Sequence, residues 1–253
     1  MRFDVITLFP ELFTPFLEAG VTRRAFASGQ VELKLWNPRD FAEGNYRRVD
    51  DRPFGGGPGM VMMAEPLLRC LRAVRAGRAE APDSAAPVVL FSPIGEVLRH
   101  AAVEHWSQSS GAILVCGRYE GIDQRFIDAH VDLQVSLGDF VLSGGEIAAL
   151  ALLDAVARLQ PGVLGDEGSH QLDSFNPALD GLLDCPHYTR PEVWGGQAVP
   201  PALLSGHHAQ IERWRRDRSL ELTARHRPEL IGEARAGGLL SAADEAVIAA
   251  VEH

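Results

Sequence analysis

The segments PVVLF at residues 87–91 and AILVC at residues 112–116 decide the fold class. Each is a short, continuous apolar run, and segments with helical periodicity lie between such runs. Strands of this kind are buried on both faces, which is typical of a parallel sheet covered by helices. The sequence therefore predicts an α/β fold with a mostly parallel sheet flanked by helices.

Further elements continue this alternation on both sides of the two strands. Additional strands are predicted over residues 2–8, 31–36 and 131–137, and helices over residues 11–28, 65–78 and 146–158. The helix at 146–158 is apolar nearly all round, so we expect it to be buried in the domain or in a subunit interface. Residues 37–60 are rich in Pro, Gly, Asp and Arg and predict a long ordered loop.

The chain divides into three predicted parts. Residues 1–164 form the α/β domain. Residues 165–181 form an interdomain linker, because they are rich in Gly, Pro, Asp and Ser. Residues 182–253 form a small helical domain, which includes the Arg-rich stretch at 207–227.

Composition excludes several classes of protein. The chain has 253 residues, 46% hydrophobic and 23% charged, which is typical of a soluble globular protein and not of a disordered one. Its three cysteines lie far apart in sequence, so neither a zinc site nor a disulfide framework is indicated. No apolar run approaches the roughly 18 residues of a membrane span, and the N-terminal segment lacks the pattern of a signal peptide. We therefore expect a cytoplasmic protein with no membrane partner.

The net charge of −10 argues at first against nucleic acid as a partner, since binding a polyanion normally needs basic surface. The charge is unevenly distributed, however. Residues 126–189 hold ten acidic residues and one basic residue, whereas residues 213–227 hold six arginines against two acids. Because the helical stretch is locally basic, the acidic total does not exclude RNA.

Three glycine-containing segments are candidate ligand loops. They are VDDRPFGGGPGM at 49–60, CGRYEGID at 116–123 and LGDFVLSGGEIAAL at 137–150. The second follows a predicted strand, and ligands of parallel sheets bind beyond the carboxyl ends of the strands. Common signatures such as the Walker A loop and HExxH are absent, and FGGGPGM does not match GxGxxG.

Each segment also allows a purely structural interpretation. The first is compatible with a flexible surface loop. Asp123 alone is better explained as a helix N-cap than as a ligand. Ser143 and Glu146 have the spacing of a capping box, and Arg158 follows Asp154 at the spacing of a helical ion pair.

Seven segments, in this order, carry a resemblance to a known family. They are DDRPFGGGPGM, FSPIGE, VCGRYEGID, LGDFVLSGGE, RLQPGVLG, LDSF and LLDCPHYTRPEVW. Together they resemble the bacterial tRNA (guanine-N1)-methyltransferases of the TrmD family, over essentially the whole chain. The resemblance implies the SPOUT fold, with a trefoil knot in the C-terminal half of the α/β domain. Such knots are rare, so periodicity alone predicts an ordinary open sheet.

The resemblance also implies an activity, a cofactor and partners. The methyl donor is S-adenosylmethionine (SAM), and the methylated atom is N1 of the guanosine at tRNA position 37, just 3′ of the anticodon. The active sites lie at the interface of a homodimer. A dependence on Mg²⁺ is a further expectation, but the sequence shows no oxygen-ligand cluster for it, so no metal-binding residue is assigned.

The resemblance gives three residues a chemical role. N1 of guanine carries a proton that must leave during attack, so a general base is needed, and a cation should stabilise the charge that spreads to O6. Asp173 in LDSF matches the base, Arg158 matches the cation, and Glu120 matches a contact to the target guanine. Without the resemblance, Asp173 is better explained as a solvated turn residue.

The cofactor pocket is expected on three loops of the α/β domain. Its predicted residues are Leu90, Phe91, Ser92, Pro93, Gly117, Tyr119, Gly121, Leu137, Gly138, Phe140, Leu142, Gly144 and Gly145. The family usually has Tyr where this chain has Phe54 and Phe140, and an acidic residue where it has Leu172. The two Phe residues lose a hydroxyl group but keep the stacking surface.

The Arg-rich helix is the predicted tRNA surface. Arg213, Arg215, Arg216 and Arg218 together favour contacts with phosphates, although any one of them is also explained by a solvated helical face. To reach N1, the enzyme needs a flipped base or a loop that is already unstacked.

Two other functions remain open at this point. One is a noncatalytic RNA-binding protein on a knotted scaffold. The other is a different methyltransferase of the same superfamily, acting on another base or on a ribose hydroxyl. The matches at Glu120, Arg158 and Asp173 favour the guanine-N1 enzyme, and the base in LDSF argues against ribose methylation.

Overall fold

The computed structural model describes residues 1–78, 85–165 and 169–252, and the chain forms two compact units, Met1–Gly165 and Asp166–His253. The strands of the first unit are β1 (Arg2–Ile6), β2 (Glu32–Trp36), β3 (Asp50–Asp51), β4 (Val61–Met62), β5 (Val88–Val97), β6 (Ile113–Val115) and β7 (Leu133–Ser136). Five of them form one sheet in the order β2-β1-β6-β5-β7, and every pairing in it is parallel. The predicted α/β fold is therefore confirmed.

Helices cover this sheet. They are α1 (Thr14–Glu18), α2 (Arg23–Ala27), α3 (Ala64–Arg78), α4 (His100–Ser107), α5 (Gln124–His130) and α6 (Glu146–Ala157). The short strands β3 and β4 pair antiparallel and bring the ends of the Gly-rich loop at 49–60 together.

The two strands that decided the fold class are buried on both faces. Val89 and Leu114 belong to the apolar core on one side of the sheet, and Val88 and Ile113 belong to the core on the other side. Successive side chains of a strand point to opposite faces. A strand between two cores must therefore be apolar at every position, which explains the continuous apolar runs.

Strand β5 is longer than predicted because it contains an irregularity. Phe91 and Glu96 both pair with Val135 of β7, so residues 92–95 are displaced from the ladder. This bulge carries Ser92 and Pro93, two of the predicted cofactor residues, out of the sheet.

The structure corrects one predicted helix and, for another, leaves only burial in a subunit interface of the two predicted alternatives. The helix predicted over 11–28 is broken into a 3-10 turn at Pro10–Leu12 followed by α1 and α2, and Gly20 between them has a φ of +73° that a continuous helix cannot contain. Helix α6 is not buried all round within the chain: Ile147 is 53% exposed and Asp154 is also exposed.

The second unit is built from short turns and helices around a small core. It contains 3-10 turns at Ser169–Leu172 and Pro177–Leu179, strands β8 (Val193–Trp194) and β9 (Gln197–Ala198), and helices α7 (Pro201–Leu204), α8 (His208–His226), α9 (Pro228–Ala236) and α10 (Ala242–Glu252). Its core consists of Leu182, Leu220, Ile231, Ala234 and Ile248.

None of the helices over residues 1–78, 85–165 and 169–252 is both long and apolar enough to cross a membrane.

The segment that contains Asp173 is held by side-chain hydrogen bonds. The buried Asn176 donates from Nδ2 to the carbonyl of His170 at 3.0 Å and accepts from the Ala178 N–H at 2.9 Å. The Phe175 N–H donates to the Leu182 carbonyl at 2.9 Å. These bonds fix the described part of the predicted linker against the core of the second unit.

Candidate active site

The first two candidate loops lie side by side. The Met62 N–H donates to the carbonyl of Gly121 at 2.9 Å, and the Asp123 N–H donates to the carbonyl of Met62 at 3.0 Å. The Glu120 N–H donates to the carbonyl of Met60 at 3.0 Å. The Gly-rich loop at 49–60 is therefore tied through its last residues to the loop that follows β6.

The second and third loops approach each other so closely that glycine is required. The Gly145 N–H donates to the carbonyl of Gly117 at 3.0 Å. A Cβ atom at Gly145 would lie 2.8 Å from Cα of Cys116, and one at Gly144 would lie 2.3 Å from Nε of Arg118. Real Cβ atoms do not approach other atoms so closely. A side chain at Gly145 therefore forces the two backbones apart, and one at Gly144 displaces the side chain of Arg118.

A cavity of about 270 Å³ lies between the bulge of β5, the loop after β6 and the loop before α6. Every residue predicted to contact the cofactor lines it: Leu90, Phe91, Ser92, Pro93, Gly117, Tyr119, Gly121, Leu137, Gly138, Phe140, Leu142, Gly144 and Gly145. Residues from three segments far apart in sequence thus meet at the bulge of β5 and beyond the carboxyl ends of β6 and β7. Small-molecule sites in parallel sheets occupy this position.

A buried charged network supports the cavity. Glu146, which is 0% exposed, accepts a hydrogen bond from Oγ1 of Thr7 at 2.8 Å, and its other carboxylate oxygen lies 2.9 Å from Nε of Arg118. The guanidinium of Arg118 lies 4.4 Å from the ring centroid of Phe9 and donates to the Ser143 carbonyl at 3.2 Å. Since a buried charge is costly without a partner, the two charges depend on each other.

This network was missed at the sequence level. The predicted capping box of Ser143 and Glu146 is wrong, because Gly145 is the N-cap of α6 and no side chain caps the helix there. An acidic residue in the first turn of a mostly apolar helix was the available signal, since a buried carboxylate needs a partner. The partner, Arg118, lies in the second candidate loop.

Glu120 lies on the rim of the cavity. Its side chain packs directly over Gly59 of the Gly-rich loop, and it is one of the lining residues. Its neighbour Tyr119 has a φ of +63°, which is rare for a residue other than glycine. Nη2 of Arg39 donates to the Tyr119 hydroxyl at 3.5 Å. The loop thus holds the carboxylate of Glu120 at the mouth of the cavity.

Two titratable groups near the cavity are held in their neutral forms. Burial, and then the charge of Glu146, raise the pKa of the Cys116 thiol well above its ordinary value. Partial burial, and then the charge of Asp50, raise the pKa of Tyr119. A nucleophilic thiolate is therefore not available at this site.

The structural interpretation of Asp123 is confirmed. Asp123 is the N-cap of α5, because its Oδ1 accepts a hydrogen bond from the Arg125 N–H at 3.0 Å.

Arg158 and Asp173, the other two predicted catalytic residues, belong to other elements of the chain. Arg158 is the C-cap of α6, and its N–H donates to the carbonyl of Asp154 at 3.0 Å. The helix has 12 residues, so Arg158 lies about 18 Å along it from the cavity end. Among the described residues, those lining the cavity do not include Arg158. Asp173 belongs to the second unit, where it is half-buried and its carbonyl accepts from the Asn176 N–H at 3.2 Å.

Two of the predicted tRNA-binding arginines take part in a charged cluster inside the second unit. Arg213 pairs with Asp217 and, at 3.0 Å, with Asp244. Arg216 pairs with Asp180 at 2.8 Å and with Asp244 at 3.3 Å. Although partial burial raises the pKa of Asp244, hydrogen bonds from Ser241 and these arginines outweigh it and lower that pKa to about 2. This cluster holds α10 against α8.

The remaining two arginines differ from each other. Arg218 pairs with Glu221 at 2.5 Å along the helix. Arg215 is exposed and forms no ion pair with any residue in the described ranges. It lines a second cavity, within the second unit, together with Tyr188 and Trp214.

One group of possible metal ligands occurs among residues 1–78, 85–165 and 169–252. It consists of Asp184, Cys185 and His187, whose ligand atoms lie within 4.8 Å of one another. Nε2 of His187 lies 2.8 Å from Oδ2 of Asp184. A thiol and an imidazole do not suit Mg²⁺, which prefers oxygen ligands. The group therefore does not account for the Mg²⁺ dependence implied by the resemblance.

Known proteins resemble this chain along its length. Residues 1–233 match the family described as tRNA (Guanine-1)-methyltransferase TrmD. A tRNA (guanine-N(1)-)-methyltransferase of Paracidovorax citrulli is 76% identical over 249 residues, which cover 98% of each chain. Its counterpart from a Polaromonas species is 77% identical over 249 residues, covering 98% of this chain and 96% of the relative. One from a Janthinobacterium species is 57% identical, covering 97% of each.

The family match also agrees with the parallel sheet and the three-loop cavity, since the fold of the family is the SPOUT fold. The chain thus belongs to the TrmD family of tRNA (guanine-N1)-methyltransferases.

Proposed function

We propose that this protein transfers a methyl group from SAM to N1 of guanosine 37 in tRNA. Membership of the family makes it a methyltransferase and implies SAM as donor. The observation that carries the proposal is the cavity of the first unit, which gathers every residue predicted to contact the cofactor. We further propose a cytoplasmic location, where tRNA is modified.

The lining of the cavity suits SAM. Leu90, Ile122 and Leu142 offer apolar surface for the adenine, and the closely spaced loops at 117–122 and 137–145 offer backbone N–H and C=O groups for its polar edge and ribose. The carboxylate of Glu120 at the rim places negative charge beside a ligand that is cationic at its sulfonium and amino groups. When bound, SAM supplies an electrophilic methyl group.

The residues of this chain then control the proton on guanine. Asp173 accepts the N1 proton as the nitrogen attacks, which makes N1 nucleophilic. Arg158 stabilises the negative charge that develops on O6. Glu120 accepts a hydrogen bond from the N–H edge of the base, which distinguishes guanine from adenine.

The position of Arg158 supports a homodimer with active sites at the interface. Helix α6 holds Arg158 about 15 Å along its axis from Ala148, the last residue of the helix that lines the cavity, and no arginine side chain spans this distance. A second copy can present its Arg158 to the cavity of the first. Exposed apolar residues around this cavity, Phe140, Val141 and Ile147, provide surface for such an interface.

The substrate and the methylated atom are tested by mass spectrometry of the product. Unmodified tRNA transcripts with G37 or A37 are incubated with the protein and SAM, digested and mapped. We expect 1-methylguanosine at position 37 of the first transcript and no methylation of the second. Methylation at another position, or on a ribose, would overturn the proposal.

The base is tested by Asp173→Asn, which keeps the shape of the side chain but removes its ability to accept a proton. General-base catalysis contributes typically 10²–10⁴-fold, so methyl transfer should fall by about that factor. SAM affinity, measured by calorimetry, should stay unchanged. Glu233→Gln, which neutralises an exposed acid on α9 of the same unit, is the matched control and should leave the rate unchanged. Near-normal turnover of Asp173→Asn would show that Asp173 is not the general base.

A further inference from the structure

The second unit contains a cavity that the proposed chemistry does not use. Its volume is about 490 Å³, within the range of small-molecule sites, and it lies between residues 186–192, α7 and α8. The side chains that give it chemical character are His187, Tyr188, Arg190, Glu192, Trp214 and Arg215. All of them belong to the second unit.

Two aromatic rings form one part of this cavity. The ring centroids of Tyr188 and Trp214 lie 6.1 Å apart, with their planes at 65° in an edge-to-face arrangement. Tyr188 is 50% exposed, so much of its ring is in contact with solvent and not with the protein. A half-exposed aromatic ring held by a second ring is a rigid stacking surface.

Two arginines give the cavity an excess of positive charge. Arg190 and Arg215 are exposed, and neither forms an ion pair with a residue of the described ranges. Glu192 is the single carboxylate among the residues that line the cavity. By contrast, Arg213 and Arg216 on the same helix are occupied by Asp244.

We infer that this cavity binds one unpaired nucleotide of the tRNA, with its base against Tyr188 and Trp214 and its phosphate near Arg190 and Arg215. Unstacked bases in RNA loops are bound by aromatic side chains, and arginines bind the adjoining phosphates. A base inside a duplex has both faces covered and cannot use this surface. The inference rests on the proposed function only in taking tRNA as the substrate.

The stacking surface is tested by the affinity of the full-length protein for fluorescently labelled tRNA, measured by anisotropy. Stacking of one base is worth about 5- to 150-fold in affinity, so Tyr188→Ala should raise Kd by a factor in that range. Tyr188→Phe keeps the ring and should bind within about twofold of the unchanged protein. Thermal unfolding by circular dichroism checks that both variants are folded.

The phosphate contact is tested by the salt dependence of the same Kd. In a plot of log Kd against log salt concentration, each phosphate contact adds about 0.7 to the slope in single strands and about 0.9 in duplexes. Arg215→Gln removes one such contact, so it should lower the slope by about 0.7–0.9. Tyr188→Ala should weaken binding without changing the slope. Arg72→Gln is the control, because it removes an exposed arginine from α3 of the first unit, outside the predicted tRNA surface, and should change neither quantity.

The possible results separate this inference from the proposed function. If Tyr188→Ala binds tRNA as tightly as Tyr188→Phe, or Arg215→Gln behaves like Arg72→Gln, the inference is overturned, whatever nucleoside the enzyme methylates. If the expected losses occur but mass spectrometry finds no 1-methylguanosine at position 37, the nucleotide site stands and the proposed function fails. Because the readout is binding, loss of catalysis cannot be mistaken for loss of this site.

Discussion

The two ends of α6 have opposite properties. At its beginning, Gly144 and Gly145 lie against the backbone after β6, and the carboxylate of Glu146 is completely buried with Arg118 as its partner. At its end, Arg158 is only half-buried and lies about 15 Å along the helix from Ala148, the last residue of α6 that lines the cavity. The beginning of α6 therefore helps to form the pocket, whereas the end of α6 holds the cation of Arg158 at a distance from that pocket.

Under the proposed function, we expect this difference to separate SAM binding from catalysis. The cofactor pocket is formed by contacts within one copy of the first unit, so we expect it to bind SAM in a preformed state. In the proposed mechanism, the cation that stabilises the transition state comes from another copy, because α6 keeps its two ends apart. Variants at the beginning of α6 should therefore affect stability and SAM binding, and variants at its end should affect the rate.

The largest effect is expected from Glu146→Ala. Removing one partner of a buried ion pair leaves the other charge without compensation and costs about 3–5 kcal/mol. The free energy of unfolding, measured with urea, should fall by this amount, and SAM affinity should fall with it. Glu18→Ala removes an exposed acid at the end of α1 and should change stability by less than about 0.5 kcal/mol. Equal stability of the two variants would show that the network does not support the pocket.

Arg158→Ala should have the next largest effect, but on a different quantity. Removing a single group that stabilises developing negative charge typically costs about 10²–10³-fold in kcat, or roughly 3–4 kcal/mol. The rate of methyl transfer under saturating SAM and tRNA should fall by that factor, while the Kd for SAM stays unchanged. A large loss of SAM affinity in this variant would contradict the separation of the two ends.

Gly145→Ala tests the close approach of the loops at the beginning of α6. The added Cβ would lie 2.8 Å from Cα of Cys116, so the backbone must shift, at a cost of about 1–3 kcal/mol in stability. SAM should also bind more weakly. Gly232→Ala in α9 is the control: no atom lies within 4 Å of its added Cβ, so the protein should become slightly more stable because alanine favours the helix.

The smallest effect on stability is expected from Ile147→Ser. This side chain is about half exposed in the single chain, so its replacement should change the free energy of unfolding of the monomer by less than about 0.5 kcal/mol. If Ile147 is covered by a second copy, the dimer should dissociate at a higher protein concentration in sedimentation experiments. Val21→Ser, at another exposed apolar residue, should not affect dissociation. If both variants sediment identically, Ile147 of α6 does not belong to the dimer interface.

Much of the fold was predictable because its signals are local. The apolar runs at 87–91 and 112–116 require burial on both faces, and the structure places them between two cores. The helix predicted over 11–28 was wrong because the apolar pattern continues across a break that depends on the backbone of Gly20. Periodicity detects which residues are buried more reliably than it detects where the chain turns.

The site was predictable in its parts but not in its assembly. Each Gly-rich loop was visible in the sequence, and the family resemblance indicated which residues to expect at the cofactor. The pairing of Arg118 with Glu146 was not visible, because it joins residues from different loops and both had simpler local explanations. The aromatic cavity around Tyr188 and Trp214 was missed for the same reason, since α8 and residues 186–192 meet only in the folded unit.

The assembly of one active site from two copies is tested most directly by mixing two inactive variants. Gly117→Phe places a ring between Leu90 and Ile122, which fills the cavity, and calorimetry should find no SAM binding. Arg158→Ala retains the cavity but lacks the cation. After the two variants exchange subunits, one site of each mixed dimer combines an intact cavity with an intact Arg158, so methyl transfer should return. If native mass spectrometry detects mixed dimers and the mixture stays as inactive as its components, the cavity and Arg158 do not act across the interface.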